Sequence, residues 1–259
     1  MTIARSLWKA FGRLGGSAGT RNRSSRVDWL SSTLRHIPGG SRILDAGCGE
    51  QQFKPFCSHL SYVGQDFAQY DGKGDGKGLQ TGTWDQSRLD IVCDITAIPE
   101  LDGSFDAVMC TEVLEHVPDP VAALEELCRL VKPNGQMILT APFCSLSHYA
   151  PFHFSTGFNR YWYEWHLNRL GYDIVDLQQN GSFFEYLAQE IRRTPMVAAR
   201  NSSKAAGYIC GAAFALLSLP LILLLGALSR QNDGTADLLC FGYHVLAQRR
   251  SPECSGVTA

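Results

Sequence analysis

The chain has 259 residues, 45% of them apolar, which suits one α/β domain with additions and allows a large buried core. Lysines and arginines number 23 against 25 acidic residues, so the formal charge is −2 and no broad basic excess points to nucleic acid as a partner. Nine cysteines stand at 48, 57, 93, 110, 128, 144, 210, 240 and 254 without a C-x-x-C pair, several inside apolar runs, a pattern of reduced thiols in a cytosolic compartment that argues against a zinc site.

Residues 1–26 form a basic leader with Arg5, Lys9, Arg13, Arg21, Arg23 and Arg26 and no acid. Ile3, Leu7, Phe11 and Leu14 recur at helical spacing, and the apolar core of an export signal is missing. The leader is expected either to rest on an anionic membrane as an amphipathic helix or to be a frayed, disordered segment whose helix packs on the domain. Val27, Leu30, Leu34 and Ile37 then share one helical face, stopped by Pro38-Gly39-Gly40. "SRILDAG", "SYVGQDF", "DIVCDI" and "SFDAVMCTE" read as four short buried strands. "DGKGDGKG", Asp71 to Gly78, reads as a flexible surface loop, since no Ser or Thr follows Gly-Lys at the spacing of a phosphate loop.

"DPVAALEELCRLVKPNG" is a helix opened by Asp119-Pro120 and closed by Pro133-Asn134-Gly135. "QMILTAPF" is a fifth strand, "STGFNRYWYEWHLNRLGY" a helix ending near Gly171, and "DIVDLQQ" a sixth strand. "LLCFGYHVLAQRR" holds a seventh, and the tail past Arg250 reads as disordered. Strands alternating with helices predict an α/β fold with a mostly parallel sheet covered on both faces. Ligands of such sheets bind at the carboxyl ends of the strands, so the informative residues should follow each strand.

The first strand ends in "LDAGCGEQQF". Gly47 and Gly49 allow a tight turn with close backbone approach to a ligand. A dinucleotide fingerprint would need a third glycine where Gln52 stands, and Asp45 opposes a pyrophosphate but suits a cationic ligand.

With "ILDAGCG", "YVGQD", "CDITAIP", "FDAVMCTEVLEHVPDP" and "LVKPNGQMILTAPF" in this order, the chain resembles the class I S-adenosylmethionine-dependent methyltransferases of the type 11 group. The resemblance runs from about Val27 to Gln178, with the last strand added near Phe241 to Gln248. It implies a Rossmann-like, seven-stranded, mostly parallel sheet, S-adenosyl-L-methionine as cofactor, and no metal. It places Asp45, Ala46, Gly47, Cys48 and Gly49 at the amino-acid end of the cofactor, Asp66 on both ribose hydroxyls with Phe67 beside it, Asp94 and Ile95 at the adenine, and Thr111 and Glu112 by the sulfonium. Many members have a third glycine where this chain has Gln51, which implies a less open turn.

Methyl transfer to a hydroxyl needs a base, and histidine is the usual one. His153 is the first candidate, then His148. Both lie in "PFCSLSHYAPFHFSTGF", after strand five, where this group builds its acceptor pocket. His116, in "LEHVPDP", is expected to shape the site more than to act as the base. "YWYEWH", Tyr161 to His166, either walls an apolar acceptor or packs in the core.

Tyr208 to Leu228, "YICGAAFALLSLPLILLLGAL", has no charge. The uncharged run between Lys204 and Arg230, about 25 residues of helix, would extend about 37 Å, enough for a bilayer core. A single crossing conflicts with the return of the last strand to the sheet. A bend at Ser218 to Pro220 therefore predicts a re-entrant hairpin or an interfacial helix pair, with a dimer interface or an extra core layer as the alternative. The expected organisation is a methyltransferase domain at 27–180 and 238–250, a helical insertion at 181–237 whose apolar stretch 208–228 associates with a membrane, and a disordered tail at 251–259. The sequence thus predicts O-methylation of a glycan or lipid-linked acceptor, on the cytoplasmic face of a membrane to which the protein is peripherally or monotopically attached. Carbon methylation of a prenylated quinone and a non-catalytic cofactor-binding regulator are the alternatives. A nicotinamide dehydrogenase is opposed by Asp45 and the missing glycine.

Overall fold

The computed structural model describes residues 16–201, 204–231 and 234–251. The helix expected at Ile3 to Leu14 and the tail from 252 lie outside the described residues. The chain divides into two compact units, one of residues 27–178 with 242–259 and the other of residues 1–26 with 179–241.

The first unit is built on a sheet. Its strands are β1 (Arg42–Ala46), β2 (Ser61–Asp66), β3 (Ile91–Val92), β4 (Phe105–Thr111), β5 (Val131–Pro142), β6 (Tyr172–Asn180, its last two residues in the other unit) and β7 (Gly242–Arg249), in the order β3-β2-β1-β4-β5-β7-β6. β1 pairs in parallel with β2 and β4, and β4 with β5. β7 runs antiparallel to β5, from Pro142 opposite Gly242 to Gln136 opposite Gln248. The order reverses between β1 and β4, so the crevice that binds ligands in such sheets opens beyond Ala46, Asp66 and Thr111.

Helix α1 (Asn22–Arg35) buries Leu30 and Leu34 at i, i+4, and these pack with Ile37 on Ile43, Ala107, Met109 and Ile138. Helix α2 (Pro120–Leu130) starts on the Asp119 carboxylate, which accepts from Val121 N and Ala122 N at 3.2 and 3.0 Å. Its Ala123, Leu124 and Leu127 are fully buried. Helix α3 (Arg160–Arg169) buries Tyr163 and Leu167 and leaves Tyr161 and Trp165 exposed, so "YWYEWH" is half core and half surface.

One boundary differs from the sequence reading. Pro133-Asn134-Gly135 lies inside β5, not at a helix end. Lys132, the residue before Pro133, disfavours helix, so α2 stops and the chain is extended from Val131 onward. Asn134 takes φ 62°, and a register shift against β4 between Phe105 and Ala107 absorbs the extra residues.

The second unit is a helix pair, α4 (Phe183–Asn201) and α5 (Lys204–Gln231). Ser182 Oγ lies 3.1 Å from Ser229 Oγ, and Gly211 packs on Pro195, so the two run antiparallel. Ile222 and Leu225 of α5 meet Ala188 of α4 and Ala18 in a small core, flanked by Phe184 and Ile191. The expected bend at Ser218 to Pro220 is absent: α5 is one helix of 28 residues with Pro220 inside it. Proline removes one backbone hydrogen bond, at a cost of about 3 kcal/mol, and here the helix propensity of the alanines and leucines around it, with Ala215, Ser218, Ile222 and Leu225 buried, outweighs that loss.

The leader differs too. Residues 16–20 form a turn whose Ala18 is buried, and α1 begins at Asn22, five residues before the expected domain start. Residues 179–180 and 238–241 also group with the helix pair, not with the sheet.

Candidate active site

β1 delivers Asp45 and Ala46 fully buried, and the turn after it gives Gly47 and Gly49 left-handed backbones, at φ 70° and 53°. Gly47 N donates to Gln65 Oε1 at 3.2 Å and Cys48 N to Gln65 O at 2.9 Å. A Cβ on Gly49 would stand 2.6 Å from the Trp84 ring, and one on Gly47 2.5 Å from the Val113 side chain. Gln51 adopts the backbone that favours glycine, at φ 59°. It is buried there, with its amide donating to Arg88 O at 2.6 Å and accepting from Lys54 Nζ at 3.0 Å.

Asp45 does not face open solvent. Tyr62 donates its hydroxyl to Asp45 Oδ2 at 2.6 Å. Burial pushes this carboxyl up to about 7; the Tyr62 hydrogen bond opposes the rise, and the charge of Asp66 adds to it.

Asp66, at the carboxyl end of β2, accepts from Gly49 N (3.0 Å), Ala68 N (3.0 Å) and Gln86 Nε2 (3.3 Å). A carboxylate offers about four lone-pair positions, so one stays open to a ribose hydroxyl, and the second would take the place of Gln86. Phe67 stacks edge-on against Phe152. After β3 the Asp94 carboxylate accepts from the Thr96 amide and hydroxyl at 2.8 and 2.7 Å, while Ile95 is buried. Asp94 is thus exposed and engaged in its own turn, leaving Ile95 as the apolar neighbour for an adenine.

At the end of β4, Thr111 is buried and its Oγ1 has no hydrogen-bond partner among the described residues. Glu112 takes φ 54° and accepts from Thr140 Oγ1 at 3.1 Å. A cradle of left-handed glycine backbone, the Asp66 carboxylate and the unsatisfied Thr111 hydroxyl fits S-adenosylmethionine, whose amino-acid end and ribose need hydrogen-bond partners of this kind.

The three candidate histidines come together. Ring centroids lie 4.5 Å apart for His116 and His148, 4.9 Å for His148 and His153, and 5.8 Å for His116 and His153. Beside two of them is Glu115, fully buried, with Oε1 3.8 Å from His116 Nε2 and 4.0 Å from His148 Nε2. The Glu115 carbonyl also accepts from Phe154 N and Ser155 N, which pins the segment carrying His153.

His116 Nδ1 donates to Phe152 O and His148 Nδ1 to Leu146 O, leaving the Nε2 atoms on the Glu115 side. Burial, helped by the neighbouring His148, lowers His116 to about 3, so it stays neutral at physiological pH. Ser145 Oγ donates to Thr156 O at 2.9 Å, so the 3.2 Å contact with His153 has Nε2–H as donor. That fixes the tautomer and leaves His153 Nδ1 as the basic nitrogen. Burial, then the neighbouring His148, lowers the His153 pKa, so this ring is neutral at pH 7. The ligand atoms of Glu115, His116 and His148 all lie within 4.8 Å of one another, an arrangement of donors compatible with a divalent cation.

Three features escaped the sequence reading. Glu115 was hidden in "TEVLEH" between two residues already assigned, though its place beside His116 was a signal. Tyr70, Trp84 and Tyr149 form an aromatic cluster, with centroids 4.8 to 5.5 Å apart, and Tyr149 stacks on His116 at 5.1 Å. The glycine-rich segment from Asp71 is no free loop. Asp75 N donates to Ala150 O and Leu79 N to Ser147 O, and a Cβ on Gly74 would stand 1.9 Å from Ala150 O. The glycines let this strap lie against the segment that carries His148.

Comparison with known proteins agrees with this geometry. The family described as Methyltransferase domain matches residues 20–189. A ubiquinone biosynthesis O-methyltransferase of Xanthomonas axonopodis pv. citri (strain 306) is 36% identical over 118 residues, which is 44% of this chain and 48% of that protein. One of the same name from Dechloromonas aromatica (strain RCB) is 33% identical over 118 residues, 44% and 49% of the two chains. The chain spans about half the length of these curated relatives. A solved S-adenosylmethionine-dependent methyltransferase from Archaeoglobus fulgidus shares the fold, with a TM-score of 0.51 at 17% identity over 86% of this chain and 94% of that one. A matching family over most of the chain, the strand order and the strand-end cradle agree: this chain belongs to the class I S-adenosylmethionine-dependent methyltransferases.

Proposed function

We propose that the chain methylates a hydroxyl oxygen of a lipid-linked acceptor at a membrane surface on the cytoplasmic side. The observation that carries the oxygen acceptor is His153, a neutral ring whose Nε2 proton is committed to Ser145 and whose Nδ1 is free to accept a proton. When bound, S-adenosylmethionine supplies an electrophilic methyl group on a sulfonium.

The chain supplies the rest. Gly47, Gly49 and Asp66 hold the ligand beyond β1 and β2, with Asp45 buried beneath them, and Ile95 gives the adenine an apolar neighbour. Thr111 offers its unsatisfied hydroxyl at the end of β4. Tyr149 and Phe152 wall the acceptor side and exclude water. His153 Nδ1 takes the hydroxyl proton as the oxygen attacks, a role worth about 10²–10⁴-fold in rate. His116, neutral and bonded to Phe152 O, positions the wall and does not exchange a proton at physiological pH. His148 stands between the two rings beside Glu115, where its Nε2 is a second candidate for contact with the acceptor.

Relatives named for O-methylation in ubiquinone biosynthesis support an oxygen acceptor carried by a lipid, in preference to carbon methylation. The apolar helix α5, long enough to cross a bilayer by length and composition, supports a membrane location. Membranes incubated with labelled cofactor, with and without the enzyme, and extracted into organic and aqueous phases test this reading. Enzyme-dependent label in the organic phase that survives acid but is lost from the His153→Gln enzyme is the expected result. Label confined to a water-soluble small molecule would overturn the lipid-linked acceptor.

A further inference from the structure

The net charge of −2 conceals a partition. Residues 1–26 and 179–241 hold eleven lysines and arginines against four carboxylates, a charge of +7, and the remainder holds twelve against twenty-one, a charge of −9. The cationic unit is also the one with the apolar helix. In α5 the stripe Ala215, Ser218, Ile222 and Leu225 is buried, at the i, i+3, i+4 spacing of one helical face. The other face presents Leu216 and Leu217, 74% and 79% exposed, with Phe214, Leu221, Leu223 and Leu224 also exposed. A contiguous exposed apolar face of this kind marks an interaction surface.

The partner helix α4 is charged along its length, with Glu190, Arg192, Arg193 and Arg200. Because α4 packs antiparallel on α5, a pair inserted upright would carry these groups into hydrocarbon, which strongly disfavours them. Lying flat, the pair keeps them at headgroup level and lowers only the leucine face.

A cleft of about 690 Å³ opens on this unit, lined by Thr20, Gln189, Arg192, Arg193, Met196 and Arg200 among others. Arg192 builds its floor, with Nε donating to Ala18 O at 2.8 Å and an amino group to Gly16 O at 3.0 Å. Burial lowers the Arg192 pKa without removing its charge at neutral pH. Arg193 pairs with Glu190 at 2.7 Å, and no ion pair holds Arg200 among the described residues. Three guanidinium groups around one opening match the oxygens of a phosphodiester.

We infer that the helix pair docks in the plane of a bilayer and seats the phosphate of an anionic phospholipid in the Arg192–Arg193–Arg200 cleft. Two copies of this surface, each on a unit of +7, would repel one another, whereas an anionic leaflet neutralises the charge while the leucine face enters the acyl boundary. The inference deepens the membrane-surface part of the proposed function and rests on it for location alone.

The test is flotation of the full-length protein with vesicles of phosphatidylcholine, with and without 30% phosphatidylglycerol, at low and high salt. The expected result is a partition at least tenfold stronger with the anionic lipid and weakened by salt. The Arg193→Gln/Arg200→Gln double variant removes two charges near the surface, each worth about fivefold, so its partition should fall roughly 25-fold. Leu217→Glu should abolish binding to both vesicles. Circular dichroism and an unchanged thermal melt check that the variants fold, since all three positions lie away from the small core.

Equal partition onto both vesicles, or undiminished binding by the arginine variant, would overturn the phosphate site. So would saturation of the cleft by inorganic phosphate in calorimetry with no partition onto anionic vesicles, which would mean a free anion is the ligand. Binding only to a protein fraction or to a second copy of the chain would equally overturn it. Vesicle binding combined with a water-soluble methylated product would sink the acceptor proposal and leave this one standing. Labelled lipid without vesicle binding would do the reverse.

Discussion

Asp45 and His116 are buried with pKa values pushed in opposite senses, and this makes a test of the site by pH. Asp45 has a folded value of about 7 against 3.8 when unfolded. Between those limits the folded chain binds the extra proton, so its contribution to stability is full below 3.8 and is lost as pH rises toward 7. His116 has a folded value of about 3 against 6.5. Between those limits the unfolded chain binds the extra proton, so its contribution is full above 6.5 and is lost as pH falls toward 3. Going from pH 7 to pH 5 therefore costs roughly 2 kcal/mol through His116 and returns a similar amount through Asp45, at about 1.4 kcal/mol per pH unit. The two nearly cancel, and the wild-type urea midpoint should change little over this range. Asp45→Asn removes one side of the balance, so the variant should lose about 2 kcal/mol between pH 7 and pH 5. His116→Gln should gain about as much over the same interval. The assay is urea unfolding of the three proteins at both pH values, reading only the change with pH, because absolute stabilities will differ. An Asp45→Asn protein with the same pH dependence as wild type would refute the claim that the buried carboxyl is protonated near neutrality.

Other perturbations read other parts of the site. His153→Gln should lower kcat by about 10²–10⁴-fold with the Kd for S-adenosylmethionine unchanged by calorimetry. The acid limb of wild-type kcat/KM should fall below pH 6.5, because burial lowers the His153 pKa and only the neutral ring accepts a proton. Asp66→Asn keeps the shape but removes the charge, and should weaken cofactor binding about tenfold or more in the same calorimetric measurement. Gly74→Ala drives a methyl group against Ala150 O and should lift the strap, raising the acceptor KM while the cofactor Kd stays constant.

Much of this was legible in the sequence because local chemistry and tertiary need agree there. Leu30 and Leu34 sit one helical turn apart and meet the sheet face that needs them. Asp119-Pro120 caps α2 as its composition dictates, and the glycines after β1 take the left-handed backbones that only glycine adopts at low cost. The failures lie where distant residues decide. Pro220 breaks a solitary helix but not one whose alternate turns are buried on α4. The glycine-rich strap looks flexible until Ser147 and Ala150, some seventy residues away, take its hydrogen bonds. Glu115 stands beside His116 in the sequence, but its second histidine neighbour could not be read there, because His148 arrives from a different loop.

The same reasoning bears on charge. A total of −2 argues against nucleic acid as a partner, yet that sum adds two units of opposite sign. Interactions between exposed charges fade over a Debye length of about 8 Å at physiological salt, so a surface responds to the charges near it and not to the chain's total. An anionic leaflet attracts the helix pair and repels the sheet unit, and adding salt weakens both. If the helix pair is the part in contact, salt must weaken vesicle binding, and Arg193→Gln/Arg200→Gln must flatten that salt dependence. Charge substitutions of matching number on the sheet unit, at Glu125 and Asp173 for example, should leave it unchanged. A chain bound through its apolar face alone would show neither response.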